Sequence, residues 1–409
     1  MKFLGVVAGL LVSGACGGSG DTDDGVAADL DSRDATSSFA MLRPGHGGRD
    51  HGSGPRAVRR AIGAAADRLA ALQADTIGDN AHNGVVDADP DDGGWDFILP
   101  PTATEHTAAK SPTNLFGNIG LVAWAAVDTG SAGNRALVTA LDAGLGMQRD
   151  PDIDSAPDFV FGVLLAELAD NPGFAEIARQ HYDAKRAAFG GATGLGTAIR
   201  DGRHARHEDG LIAYDVGWLS ISAAALDAAF PGAGYGADAQ IYSQIVVDDL
   251  TAATPDFDLA DPTEDSYVIG LAWSQVAAAR VGAVDLFRDV RARLLDQQHD
   301  NGAWPTNAMA PGDDIQSTAI AVETIALTDR ANRRARQAMR RGVRFLLDGQ
   351  AANGGWPDAV GNELPLVDGE ILLGIMLART AEGRDGLTPA AMARRAPSAA
   401  SAPYATPLP

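Results

Sequence analysis

The chain has 409 residues, a formal net charge of −22, 45% hydrophobic and 6% aromatic residues, and a single cysteine. That charge argues against a nucleic-acid partner, because phosphate binding needs a basic surface, and it disfavours direct docking on anionic lipid. One cysteine, Cys16, excludes an intrachain disulfide and a thiolate-held metal.

A short charged start, Met1-Lys2, precedes an apolar run from Phe3 to Val12 that is too short to span a bilayer. Ser13-Gly14-Ala15 and then Cys16 follow. The segment resembles a bacterial lipoprotein signal, in which the cysteine becomes the acylated first residue; an ordinary secretory signal is the alternative. The resemblance implies a signal over residues 1–16, lipidation at Cys16, and a place in the bacterial cell envelope, on the periplasmic or extracellular face. The membrane would then be reached through the lipid anchor only. Residues 17–54, rich in Gly, Asp and Ser, read as a tether. Within it, His46 and His51 read as linker or as a metal tract.

From residue 55 the pattern is helical and paired. Val58, Ile62, Ala65, Leu69 and Leu72 recur at helical spacing, as do Ala335, Met339, Val343 and Leu347, which predicts amphipathic first helices. These fall at roughly 55–75, 133–148, 173–189, 236–252, 284–298 and 332–349. The second helix of each pair is apolar nearly all round, as in Ile119 to Val127, which predicts burial on every side. Second helices are expected to begin near Asn114, Asp158, Asp215, Asp265, Asp314 and Asp368. Small residues within them (Gly117, Gly120, Gly162, Ser220, Gly270, Ala319, Gly374) would let neighbours approach closely. Convincing period-two strand patterns are absent. The expectation is an all-α chain, an α/α toroid of about six helical hairpins over 55–387; an open solenoid is the alternative. A Pro/Ala-rich tail, 388–409, reads as disordered.

The loops carry the polar residues. Asp87, Asp89 and Asp91 before Gly93 resemble an acidic Ca²⁺ loop, or form a solvated acidic turn. His106 and Lys110 stand just before the first apolar helix. Gly190 to Asp209 is the longest interruption and is read as a flexible polar loop; its His204 and His207 sit beside Glu208 and Asp209 as a candidate acid–base pair or metal-ligand set. Gly194-Leu195-Gly196 follows no strand, so a phosphate loop is discounted.

Two segments share one text. Leu294 to Pro305 and Leu346 to Pro357 both fit Leu-Leu-Asp-x-Gln-x-x-Asn-Gly-x-Trp-Pro, giving Gln298, Gly302 and Trp304 in one and Gln350, Gly354 and Trp356 in the other. Gly93 and Trp95 form a decayed third copy. A motif of this period marks a repeat whose units bury their core only against neighbours. The Gln-x-x-x-Gly-x-Trp text resembles the repeat of the squalene–hopene cyclases and protein prenyltransferases. That resemblance implies a toroid in which Gln and Trp are structural and tie adjacent repeats. It does not carry the family's activities. The Asp-x-Asp-Asp proton donor of the type II terpene cyclases occurs only as Asp21-Thr22-Asp23-Asp24, in the tether. The corresponding place reads Gly312-Asp313-Asp314-Ile315 and lacks the first Asp. The zinc of the prenyltransferases and the thioester of complement-like toroids both need a cysteine that the toroid lacks.

If the inner helices run parallel, their N-termini share one mouth. The aspartates there read as helix caps or as a site. Extra acids (Glu208, Asp209, Asp261, Glu264, Asp313, Glu370) favour a cation such as Ca²⁺ or a polar ligand. The sharpest expectation is that Asp215, Asp265, Asp313 and Asp314 line one polar site with His204 or His207 on a loop over it. Three functions stay open: a toroid binding a glycan, lipid or protein ligand at the acidic mouth; a polysaccharide lyase or glycoside hydrolase-like enzyme; and a diverged terpenoid cyclase-like protein. A greasy cavity would favour the third or a lipid ligand, and a plugged centre a scaffold.

Overall fold

The computed structural model describes residues 55–72, 115–130, 157–168, 170, 172–329, 331–357 and 362–381. Cys16, the tether, Asp87, Asp89, Asp91, Gly93, Trp95, His106, the helix expected at 133–148 and the tail from 388 lie outside these residues. Among the described residues there are twelve helices and no strand; one isolated antiparallel bridge joins Trp304 to Asp314. The helices are α1 (Pro55–Leu72), α2 (Leu115–Thr129), α3 (Pro157–Leu168), α4 (Gly173–Ala188), α5 (Ala192–His204), α6 (Gly210–Ala229), α7 (Tyr235–Leu250), α8 (Tyr267–Val281), α9 (Val284–Asp296), α10 (Ile315–Thr328), α11 (Arg333–Gly349) and α12 (Pro365–Ala381).

Their packing forms two concentric rings. The apolar helices α2, α3, α6, α8, α10 and α12 each pack on the next, and α12 returns to α2, which closes the inner ring. Amphipathic α1, α4, α7 and α11 each bridge two inner helices from outside, and α9 packs on α8. The division follows from side-chain pattern. In α11 only Ala335, Ala338, Met339, Gly342, Leu346 and Leu347 are buried, one stripe, whereas α8 is buried continuously from Tyr267 to Ala278. Inner helices approach closely where small residues permit. A Cβ on Gly120 would stand 2.7 Å from the Phe161 carbonyl, and one on Gly374 would stand 2.8 Å from that of Ala319.

The repeat text makes the joints. After α9, the Gln298 Nε2 donates to the Gly302 carbonyl (2.9 Å) and to the Ala338 carbonyl of α11 (2.8 Å). After α11, Gln350 Nε2 donates to Gly354 (2.8 Å) and to Ala61 of α1 (3.0 Å). The buried indoles donate back to the preceding outer helix, Trp304 Nε1 to the Leu294 carbonyl (2.8 Å) and Trp356 Nε1 to the Leu346 carbonyl (2.7 Å). Gly302 (φ 96°) and Gly354 (φ 101°) occupy left-handed backbone and press on the carbonyls of Arg341 and Ala64. The second copy therefore ties the last outer helix to the first across 289 residues of sequence. At the same seam Arg68 of α1 pairs with Glu363, before α12, at 2.6 Å, both side chains buried. Glu363 is held below its ordinary carboxylate range: its hydrogen bonds with Arg68 and Asp368 outweigh the opposing effect of burial.

Two expectations are corrected. Gly190 to Asp209 is not a loop: it contains helix α5, whose Leu195 is buried and whose Gly196 abuts Tyr242 and Ile245 of α7. Three glycines lower the intrinsic helix propensity of this segment, and tertiary packing overrides it. The inner helices also do not all begin at their aspartates. Helix α6 starts at Gly210, five residues before Asp215; α12 starts at Pro365, before Asp368; α8 starts at Tyr267, after Asp265. Asp314 is a true N-cap, accepting from the Ser317 amide at 2.6 Å.

Candidate functional site

Helices α6 and α12 lie three places apart in the six-membered inner ring, so they face each other across its axis. Near their N-terminal ends the Tyr214 hydroxyl donates to Glu370 Oε1 at 2.6 Å, and this bond spans the axis. Gln316, in the first turn of α10, donates to Glu370 Oε2 at 2.8 Å. A hydrogen-bonded bridge thus crosses the mouth. Burial pushes the Glu370 carboxyl up to about 7, against the lowering effect of its two donors, and Asp314 adds to the rise. Burial, and then Glu370, raise Tyr214 well above its ordinary value, so it stays a donor.

Inside this bridge lies an apolar cavity. It is lined by Trp124 of α2, Val160, Phe161 and Leu164 of α3, Trp218 and Ile221 of α6, Glu323 and Leu327 of α10, and Leu373 and Leu377 of α12. These side chains leave about 450 Å³ between them, counting the part open to solvent. Aromatic contacts stiffen one wall: Phe161 to Trp218 (6.1 Å between centroids), Trp218 to Trp273 (4.9 Å) and Tyr214 edge-on to Trp273 (5.7 Å).

Glu323 is the one titratable residue in this lining. It sits two turns along α10 from Gln316 and is 1% exposed. Burial, helped by the nearby Glu370 charge, raises its carboxyl well above the ordinary range. Among the described residues neither Glu323 Oε1 nor Trp218 Nε1 has a hydrogen-bond partner. Such orphans are rare in native interiors and call for an explanation.

The aspartates and histidines singled out in the sequence are spread around the rim. Asp215 accepts from Arg203 Nε at 2.6 Å; burial raises its pKa and Arg203 opposes that. Asp314 caps α10, within electrostatic reach of Glu370. Asp313 points outward and accepts from Asn301 at 2.6 Å, with His299 Nδ1 at 2.8 Å. Asp265 is exposed and bonds Ser266 at 3.1 Å. His204 is more than half exposed; its Nδ1 lies 2.8 Å from Asp209, which raises its pKa. His207 is exposed, in left-handed backbone (φ 59°) in the turn after α5. The structure therefore brings Asp215 and Asp314 towards the Glu370 bridge and leaves Asp265 and Asp313 at the surface. Among the described residues no group of three or more His, Cys, Asp or Glu is arranged to hold a metal ion.

Glu323 was missed at the level of sequence, and a signal for it existed. It is the single charged residue in the otherwise uncharged α10, Ile315–Thr328. A lone acid on a fully buried helix must be paired or neutral, and either is informative.

No family model matches the sequence, and no curated protein matches it. Solved structures do. A possible member of the GH105 family from Salmonella enterica serovar Paratyphi A superposes with a TM-score of 0.52 at 12% identity, over 82% of this chain and 97% of that one. A variant of the type II terpene cyclase MstE from Scytonema superposes with a TM-score of 0.47 at 15% identity, over 80% of this chain and 97% of that one. The chain is an α/α toroid. At these identities the likeness extends to the fold alone.

Proposed function

We propose that this toroid binds, along its axis, a slender apolar molecule carrying one hydroxyl or carbonyl oxygen. The observation that carries this reading is that Glu323 and Trp218, whose Oε1 and Nε1 are buried without a partner, belong to an otherwise aliphatic and aromatic lining. An oxygen on the ligand would accept from the indole N–H and share a hydrogen bond with the carboxyl, and the hydrocarbon would fill the rest. A glycan fits poorly, because each hydroxyl buried there without a partner would carry a desolvation penalty. The polar ligand expected at the mouth thus becomes an apolar one further in, of lipid or terpenoid character. Tyr214, Gln316 and Glu370 close the polar end.

Chemistry on the ligand is the second reading, and the raised pKa of the buried Glu323 carboxyl favours it. A carboxyl that holds its proton more tightly than usual, in an apolar cavity, is placed to protonate a bound alkene or ether oxygen, in keeping with a diverged terpenoid cyclase-like protein. Product analysis after incubation with polyprenyl substrates tests it. Unchanged substrate with saturable binding would leave the binding function alone.

The test of the binding reading is a tryptophan-fluorescence titration with a medium-chain or sesquiterpene alcohol. Saturable quenching is expected in the wild type and its loss in Leu373→Trp, which fills the cavity. Equal binding by the filled variant would place the ligand elsewhere. Lipid anchoring at Cys16 is proposed on the sequence pattern. Cys16→Ser should move the protein from the membrane pellet to the soluble fraction; retention in the pellet would overturn the anchor.

A further inference from the structure

The negative charge of the chain is unevenly placed. Helices α1 and α11 together carry ten arginines against two acids, Asp67 and Asp348, while the chain as a whole carries −22. They are successive outer helices across the seam, and the repeat joint sets their register: Gln298 meets Ala338 of α11 and Gln350 meets Ala61 of α1. Arg56, Arg59 and Arg60 flank the Gln350 contact on α1, and Arg333, Arg336, Arg340, Arg341 and Arg344 run along α11 towards it. All eight are exposed. Arg341, one of the eight, bonds Gln298, and the neighbouring Arg334 pairs with Asp296 at 2.6 Å. Arg56, Arg60, Arg333, Arg336 and Arg344 have no acidic partner among the described residues.

We infer that this arginine face docks the toroid on an anionic phospholipid surface. Charge complementarity is local: the acidic remainder of the molecule repels such a surface, so the same field that attracts this face orients the protein on it. The shape favours a plane over a threaded polyanion, because the arginines lie on two successive helices of the outer ring. The chain leading from Cys16 also enters the toroid here, at Pro55, directly before Arg56. The net charge of the whole chain argues against lipid docking only for a uniform distribution, which this is not. The inference is independent of the axial ligand and does not require acylation of Cys16.

The test is co-sedimentation of the full chain bearing Cys16→Ser with phosphatidylglycerol-containing vesicles, against vesicles of phosphatidylcholine alone. The neutral vesicles register any contribution of the apolar run 3–12, which is identical in every variant. Binding to the anionic vesicles should exceed that baseline and fall as salt rises. Arg333→Glu with Arg336→Glu and Arg344→Glu should weaken it by at least about 100-fold, at about fivefold per arginine lost and more from the added acids, with the melting temperature unchanged. The three corresponding Arg→Lys changes should preserve it. Undiminished binding by the glutamate variant would overturn the inference. So would binding to soluble polyphosphate with none to anionic vesicles, which would make the face a polyanion site.

Discussion

Glu370 is held between opposing influences. Tyr214 and Gln316 donate to it and favour its charge; its burial disfavours that charge and wins, leaving it about 7. A carboxyl whose pKa is raised in the folded state binds its proton more tightly folded than unfolded. Its stabilising contribution is complete below the unfolded value near 4.5 and is lost as pH rises through 7. The difference amounts to about 3 kcal/mol. Glu370→Gln should therefore flatten the fall in stability between pH 4.5 and 7, measured by denaturant unfolding across that range. Parallel curves for the two proteins would mean that Glu370 does not titrate with folding. Glu323 and Asp368, also raised by burial, act in the same direction, so the difference between the curves isolates Glu370. At this scale the sequence was partly legible. Glu370 stands out as an acid near a helix head, but its pairing with Tyr214 joins positions 156 residues apart and depends on a ring order that no local pattern contains.

At the scale of elements, the outer and inner helices were readable from the width of the apolar stripe alone. Helix α11 buries one face and α8 buries all of them. Helix heads were harder to place. Asp215 looks like a cap, yet Leu211, Ile212 and Ala213 precede it inside α6, and the pattern of an all-apolar helix gives no phase to fix its start. Helix α5 was read as a loop because its glycines mask a helix that packing supports. The joints between elements make their own prediction. Gln350→Ala removes two bonds, one of them to α1, and should cost about 1–3 kcal/mol. Amide exchange should rise in α1 more than in α7, which the joint does not touch. Trp356→Ala empties a buried ring site and should cost about 3–5 kcal/mol. An unchanged melting temperature in either variant would remove the motif from the structural framework.

At the scale of the whole molecule, closure converts a row of hairpins into a ring with an inside. The Arg68–Glu363 pair and the Gln350–Ala61 bond hold the two ends together. Arg68→Met should destabilise by about 3–5 kcal/mol, because it strands a buried carboxylate, and adding Glu363→Leu should recover much of that loss. Recovery would be read from chemical denaturation of both proteins; none would mean that the pair contributes through more than its charge. Closure is also what creates the axial cavity, whose wall draws on α2, α3, α6, α10 and α12, helices scattered over the length of the chain. The central claim is that Glu323 and Trp218 receive a single ligand oxygen in that wall. Calorimetric titration of a long-chain alcohol and the alkane of equal length, into wild type and Glu323→Leu, tests it most directly. The wild type should favour the alcohol by roughly 5- to 100-fold, the range of one hydrogen bond to a buried polar group, and Glu323→Leu, which leaves only the Trp218 donor, should reduce that preference while still binding the alkane. Equal binding of alcohol and alkane by the wild type, or a preference undiminished in Glu323→Leu, would contradict it.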